Sequence, residues 1–207
     1  MGSCCSTIVY QGEESTFSVK KEKMEVNHHD FEHEFHLTDK QKQAMQTCWK
    51  TEIAVNRRDI CHKTMLFCIE ASPKLNEIIA CGRYCFRDLT KWPKLNEMCQ
   101  KKFEFFDRLI VDLNLDEGEI AKEAHRTGRT HAEYSQFIGD FDELTVNSCI
   151  RLGILFRLKE TEAYDKQDMI SGFTIFLSYI IDCMNSSYAQ AISSHRLEIA
   201  NQRSPRE

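Results

Sequence analysis

The opening residues Met1-Gly2-Ser3-Cys4-Cys5-Ser6 are the first place where residue type and spacing point to chemistry. They fit the pattern M-G-x-x-x-[ST], in which loss of Met1 exposes Gly2 for N-myristoylation and Ser6 holds the favoured sixth position. One myristoyl chain binds a bilayer only marginally, so a stable anchor needs a basic patch or a second acyl chain. Residues 1–36 carry three Lys against seven Asp and Glu, which removes the electrostatic route. Cys4 and Cys5 offer palmitoylation instead, directly beside Gly2. The competing reading is a Ser/Cys-rich leader with a chance Gly2. The other cysteines of the ten in the chain show no C-x-x-C pair, and Cys81-x-x-x-Cys85 has no partner pair for zinc. In a reducing compartment they read as small core hydrophobes. His28, His29, His33 and His36 alternate with carboxylates and read as a solvated tail rather than a chelating site. His131 stands alone on an apolar helical face, and by itself such a residue reads as a core histidine.

Composition narrows the function classes. The chain has 207 residues, 42% apolar and 29% charged, with 27 basic against 32 acidic residues for a formal net charge of −5. This balance argues against nucleic-acid binding, which needs clustered Lys and Arg. Three Pro and eight Gly are too few for a Pro-rich linker or a turn-dense β-sandwich. No apolar run of about 18 residues suggests a membrane span, and no apolar segment near the start suggests a secretory signal, so a cytosolic protein is expected. No G-x-S-x-G, G-x-x-x-x-G-K-[ST] or H-E-x-x-H occurs, leaving a hydrolase or transferase without support.

The elements that must position these groups are helical. Residues 7–36 show neither a 3.6-residue nor a 2-residue apolar period and read as a flexible tether. From Leu37 onward the spacing is helical. Thr38-Asp39-Lys40-Gln41 is a capping box, after which Met45, Cys48, Trp49 and Ile53 share a face. A second helix covers about Arg57 to Ala71 and stops at Ser72-Pro73, because the residue before proline is pushed out of the α region. A poorly periodic segment runs to Trp92. Pro93 suits a first helical position, and Phe103, Phe106, Ile110 and Leu113 then form a stripe. Asp116 opens a helix that stacks Ile120, Ala124, Gly128 and His131. Two long helices follow, about Gly139 to Lys159 with Phe141, Leu144, Leu152 and Leu155 inward, and about Asp165 to Tyr188 with Met169, Phe173, Phe176, Leu177, Ile180 and Met184 inward.

The segment from Leu37 to about His195 resembles a globin, most closely the divergent nematode and nerve-type globins. Trp49 stands where many globins carry a first-helix tryptophan, and Pro73 stands at the proline that opens their third helix. Gly128-Arg129-Thr130-His131 resembles the family's Gly-x-x-His segment. The segments from Phe137 through Leu144 and from Phe173 to Met184 match the last two helices. The likeness covers about three quarters of the chain and implies an all-α globin fold of six to eight helices. The expected organisation is a disordered lipid-anchored extension over residues 1–36, a haem domain over 37–195 and a flexible tail over 196–207.

The resemblance further implies haem b as cofactor, with His131 as the proximal iron ligand; His125 lies on another face of the same helix. On the distal side the position usually held by His or Gln falls on Met98. Lys102 stands one turn later, where a small apolar residue is usual. A one-residue slip would substitute Cys99, and a three-residue slip Lys101. A thioether is a known axial ligand, whereas Lys102 could ligate iron only with its pKa strongly lowered by burial; the alternative is that Met98 packs and Lys102 snorkels outward. Phe103 and Phe106 are expected to line the distal-helix side. Where the family stacks a phenylalanine on the haem this chain has Ile79, with Tyr84 and Phe86 nearby.

These expectations combine into a haem-binding globin on the cytosolic face of a membrane. Two acyl chains add nothing to bulk oxygen storage, so anchoring favours redox chemistry or sensing of oxygen or nitric oxide, with a gas or an electron donor or acceptor as partner. Enzyme activity, if present, would be haem redox chemistry. The alternative is a haem-free, lipid-anchored helical interaction module with a degenerate pocket.

Overall fold

The computed structural model describes residues 35–56, 59–71, 74–79, 92–138, 140–146 and 162–203, and among these every regular element is a helix. Helix α1 (Asp39–Cys48) starts at the expected capping box. Gln41 N–H donates to the Thr38 hydroxyl at 3.2 Å, and the Gln41 side-chain oxygen accepts from Thr38 N–H at 2.9 Å. The helix passes through a π turn, Trp49–Ile53, into the short α2 (Ala54–Asn56). Helices α3 (Ile60–Ala71) and α4 (Leu75–Ile79) precede α5 (Pro93–Asp107), whose first residue is the proline that lacks an N–H to leave unsatisfied. Helix α6 (Glu117–Ala132) is capped by Asp116, whose carboxylate accepts from Glu119 N–H at 3.0 Å. Helical residues 141–146 form α7, and α8 (Lys166–Arg203) closes the fold.

The turn between α5 and α6 holds the cavity-forming helices at their angle. A second π turn, Arg108–Asp112, ends α5, with Leu113 N–H donating to Arg108 O at 2.8 Å. Asn114 and Leu115 then adopt left-handed backbone, φ 50° and 56°, which costs a non-glycine residue on the order of 1 kcal/mol. Burial of the Leu115 side chain offsets that cost, and Gln46 fastens the corner by donating to Ile110 O at 3.0 Å and Asn114 Oδ1 at 2.7 Å.

Helix α8 is the spine. Met169, Phe173, Phe176, Leu177, Ile180 and Met184 are all buried, as their spacing requires. Two glycines let neighbours approach it: a Cβ on Gly128 would lie 2.2 Å from Met184 O, and one on Gly172 would lie 2.6 Å from Met45 Sδ. Trp49 is fully buried, donates its indole N–H to Asp107 Oδ1 at 2.7 Å and stacks on Phe103 at 5.4 Å, tying α1 to α5.

Several boundaries differ from the expected ones. Packing reaches back before Leu37, because Phe35 is buried and stacks on Tyr179 at 4.7 Å; residues 1–34 lie outside the described ones. Helix α8 continues past His195 through Arg203 into the segment expected to be a loose tail. Between Gly172 and Pro205 the sequence holds neither Gly nor Pro to stop it. Although no unbroken apolar run marks a span, α8 is long and apolar enough to cross a bilayer by length and composition. Half of that apolar stretch is buried in the core, where Met169, Phe173, Phe176, Leu177, Ile180 and Met184 pack. Arg57, Arg58, Leu152, Leu155 and most of the expected Gly139 to Lys159 helix lie outside the described residues.

Candidate cofactor pocket

A cavity of about 650 Å³ opens between α5 and α6, inside the range of roughly 300–1,000 Å³ that holds a cofactor-sized ligand. Met65 and Cys68 of α3, Leu75 of α4, Met98 and Phe105 of α5 and Leu109 of the π turn after it form one wall. Ile138, Phe141, Leu144, Ile180 and Met184 form the other.

His131 lines this cavity from α6. Its Nδ1 lies 2.8 Å from the carbonyl oxygen of Thr127, one turn earlier. A carbonyl can only accept, so Nδ1 carries the proton and the lone pair resides on Nε2. The ring is backed by Phe141 at 5.5 Å, and Phe141 stacks on Tyr188 at 4.0 Å. Burial holds the imidazole below its ordinary pKa, against a smaller opposing effect of the Thr127 hydrogen bond. The side chain is therefore a neutral, oriented imidazole, the form that binds a metal. Gly128 sits one turn back and lets α6 lie on the backbone of α8. His125 is not among the cavity residues.

Met98 and Lys102 both line the cavity from α5. Lys102 neither snorkels outward nor stands as an isolated amine. Its ammonium donates to the buried Thr64 hydroxyl at 2.9 Å, and Thr64 in turn donates to Cys61 O at 3.0 Å. Phe106 reaches the cavity as expected, but Phe103 does not: it belongs to the face of α5 that packs on Trp49, about 100° around the helix from Lys102. Phe105 takes the expected place.

Cys99 likewise lies off the main cavity, beside a smaller one of about 180 Å³ shared with His62, Asn96, Gln100 and Phe103, so the one-residue slip does not occur. Burial pushes the Cys99 thiol up to about 12 and that of Cys61 to about 11. Both stay protonated and inert near neutrality. Ile79 is buried but does not face the cavity. Tyr84, Phe86, Gly2, Cys4 and Cys5 lie outside the described residues.

Spacing did not reveal the rim of the cavity. The buried Glu123 carboxylate accepts from Arg126 Nε at 3.1 Å and faces Arg108 Nη2 at 3.2 Å, bracing α6 against the turn after α5. Lys94 and Lys101 flank Glu97 at 3.1 and 2.7 Å and hold its carboxyl below the usual range. The i, i+3 spacings of Glu123–Arg126 and Lys94–Glu97 and the i, i+4 spacing of Glu97–Lys101 were the traces of this in the sequence; the link from Glu123 to Arg108 is tertiary.

A planar macrocycle suits this set of groups. Among the described residues no cluster of three His, Cys, Asp or Glu side chains could hold a metal ion alone. One imidazole is enough for haem, whose ring supplies the other four iron ligands. The apolar walls match the faces of the ring, and the cationic rim matches its carboxylates. His131 would hold the iron, with Phe141, Leu144, Phe105 and Phe106 against the ring.

No family model and no curated protein matches the sequence. Among solved structures the chain is similar to the globin-like protein Glb-12 from C. elegans, with a TM-score of 0.61 and 18% identity over 77% of this chain and 92% of that one. At this identity the likeness is one of architecture alone: the chain has a globin fold.

Proposed function

We propose that the protein is a haem-binding globin, held on the cytosolic face of a membrane by myristoylated Gly2 and palmitoylated Cys4 and Cys5. In this reading it serves redox chemistry or the sensing of oxygen or nitric oxide rather than bulk storage. The observation that carries the haem reading is His131, a neutral imidazole with Nδ1 bound to Thr127 O at 2.8 Å in a cavity of about 650 Å³. Bound haem would supply an iron centre that takes up a diatomic ligand or exchanges an electron. The chain's own part is to present Nε2 of His131, exclude water with the walls of α5 and α8, and offer Met98 and Lys102 on the α5 side. Met98 is the first candidate for a thioether contact to iron.

Titrating haemin into the purified full chain should develop a Soret band that saturates at one haem per chain. A chain that stays colourless would leave the haem-free, lipid-anchored interaction module standing. The anchor has its own test. Gly2→Ala should move the protein from the membrane to the soluble fraction, and joint replacement of Cys4 and Cys5 should weaken retention while leaving the myristoyl group in place. Full retention of the Gly2→Ala variant would refute the lipid anchor.

A further inference from the structure

Sulfur is unevenly placed among the described residues. Of their five methionines, Met45 and Met169 are fully buried in the core away from the cavity, whereas Met65, Met98 and Met184 line it. Met65 of α3 and Met98 of α5 belong to one wall and Met184 of α8 to the other, so thioethers border the cavity on both sides. Met65 and Met184 are buried and Met98 is half-buried, which makes Met98 the most accessible of the three. A leucine would fill a similar volume; what methionine adds is flexibility and an oxidisable sulfur.

The thiols nearby do not compete for an oxidant. Cysteine reacts as the thiolate, and burial keeps Cys61 and Cys99 protonated by raising them to about 11 and about 12. Cys68, the cysteine that lines the cavity, is buried and donates its sulfur proton to Leu144 O at 4.0 Å. A thioether has no proton to lose, so its lone pairs are available at any pH. Hydrogen peroxide is close to water in size, and a cavity of about 650 Å³ that opens between two helices admits it.

We propose that Met98, backed by Met65 and Met184, is an oxygen acceptor for hydroperoxides that enter the cavity. One oxygen atom passes from the peroxide to the thioether: the O–O bond breaks, an S–O bond forms, the sulfur is oxidised by two electrons and hydrogen peroxide leaves as water. No further reductant is needed, and the three thioethers set the capacity of the cavity at three oxygen atoms per chain. The inference rests on the haem reading above and names a substrate class for it. Free peroxide attacks thioethers slowly, and its activation inside the cavity by bound haem is what confines the transfer to these side chains. The sulfoxide is polar, so the reaction turns part of the α5 wall from apolar to hydrogen-bonding and uses a lone pair that the Met98 sulfur would otherwise offer to iron.

The test uses the full chain, with and without bound haem, treated with one molar equivalent of hydrogen peroxide and read by peptide mass spectrometry. With haem, Met98 should gain an oxygen atom roughly tenfold faster or more than without it, as expected when the reacting groups share one site. Met65 and Met184 should follow as more peroxide is added, and Met45 and Met169 should stay unmodified in both samples. Equal rates with and without haem, oxidation of Met45 and Met169 alongside Met98, or oxygen found on Cys68 instead would overturn the proposal, while the Soret band leaves the haem reading intact. Met98→Leu gives a second readout. With the first acceptor gone, the Soret band should bleach at fewer equivalents of peroxide, and bleaching unchanged from the wild type would contradict an acceptor at Met98. A wild type that develops no Soret band with haemin would overturn both readings.

Discussion

The two walls of the cavity are built on different principles. The α6 side is rigid: His131 is fixed by a backbone carbonyl at 2.8 Å, backed by the Phe141–Tyr188 stack, and carried on a helix whose Gly128 touches the backbone of α8. The α5 side consists of long side chains, Met98, Lys102 and Phe105; Lys102 donates to the Thr64 hydroxyl at 2.9 Å, and Phe105 meets Phe106 edge to face at 5.3 Å. On the proposed haem reading, a fixed base against a wall of longer side chains would suit a site that keeps one axial ligand and exchanges the other. The difference also says where substitutions should hurt: changes behind His131 disturb packing that cannot yield, whereas changes on the α5 side should cost less stability.

The largest effect should come from the rigid wall. Gly128→Ala forces a Cβ to within 2.2 Å of Met184 O, which is backbone and cannot swing away. Urea unfolding should register a loss of about 3 kcal/mol, the upper range for overpacking. Gly172→Ala, whose Cβ would meet side chains alone, the flexible Met45 thioether at 2.6 Å and Gln41 Cβ at 3.2 Å, should cost about 1 kcal/mol in the same assay. Equal losses would show that the contact with the α8 backbone is not the rigid one. Next comes the brace between the walls. Glu123→Gln deprives Arg108 and Arg126 of their shared carboxylate and should cost about 2 kcal/mol, in the range of charge-assisted hydrogen bonds.

Lys102→Met should leave the unfolding free energy within about 1 kcal/mol of the wild type, because the side chain is only partly buried and a single hydrogen bond such as that to Thr64 is worth about that much. A loss as large as that of Gly128→Ala would make the adaptable wall a structural one. The smallest effect is that of pH on the His131 side. Its pKa is lowered by burial, so the unfolded chain takes up the proton more readily. Stability without haem should fall as the pH drops below about 6.5 and show no slope from this group above that value. Denaturation midpoints measured on either side should lose that part of the acid slope in His131→Gln.

The parts of the molecule that obey local rules were legible in the sequence. The Thr38 capping box, Pro93 at the first turn of α5 and Asp116 as a cap all follow from hydrogen bonds within a few residues. The α8 stripe follows from its period. His131 was found through the Gly-x-x-His likeness, and its bond to Thr127 is a one-turn relation of the same local kind. What the sequence withheld depends on phase and on neighbours. The π turn at Arg108–Asp112 adds a residue to the helical repeat. It carries Leu113 partly off the stripe it was expected to share with Phe106 and Ile110, while Leu109 and Leu115 become fully buried. Phe103 turned to the core and Phe105, about 200° further round α5, lines the cavity in its place, because which face meets Trp49 is decided by the packing of α1 on α5. Lys102 turned inward because α3 happens to offer Thr64 there, and Phe35 joined the core because Tyr179 waits for it on α8.

The central claim is that Nε2 of His131 holds haem iron, and replacing that side chain by a ligand from solution tests it most directly. His131→Gly should lose the Soret band of the haemin-loaded chain, or shift it to the position for haem without a proximal nitrogen, and added imidazole should restore the wild-type spectrum. A His131→Gly chain with the wild-type spectrum in the absence of imidazole would contradict the account.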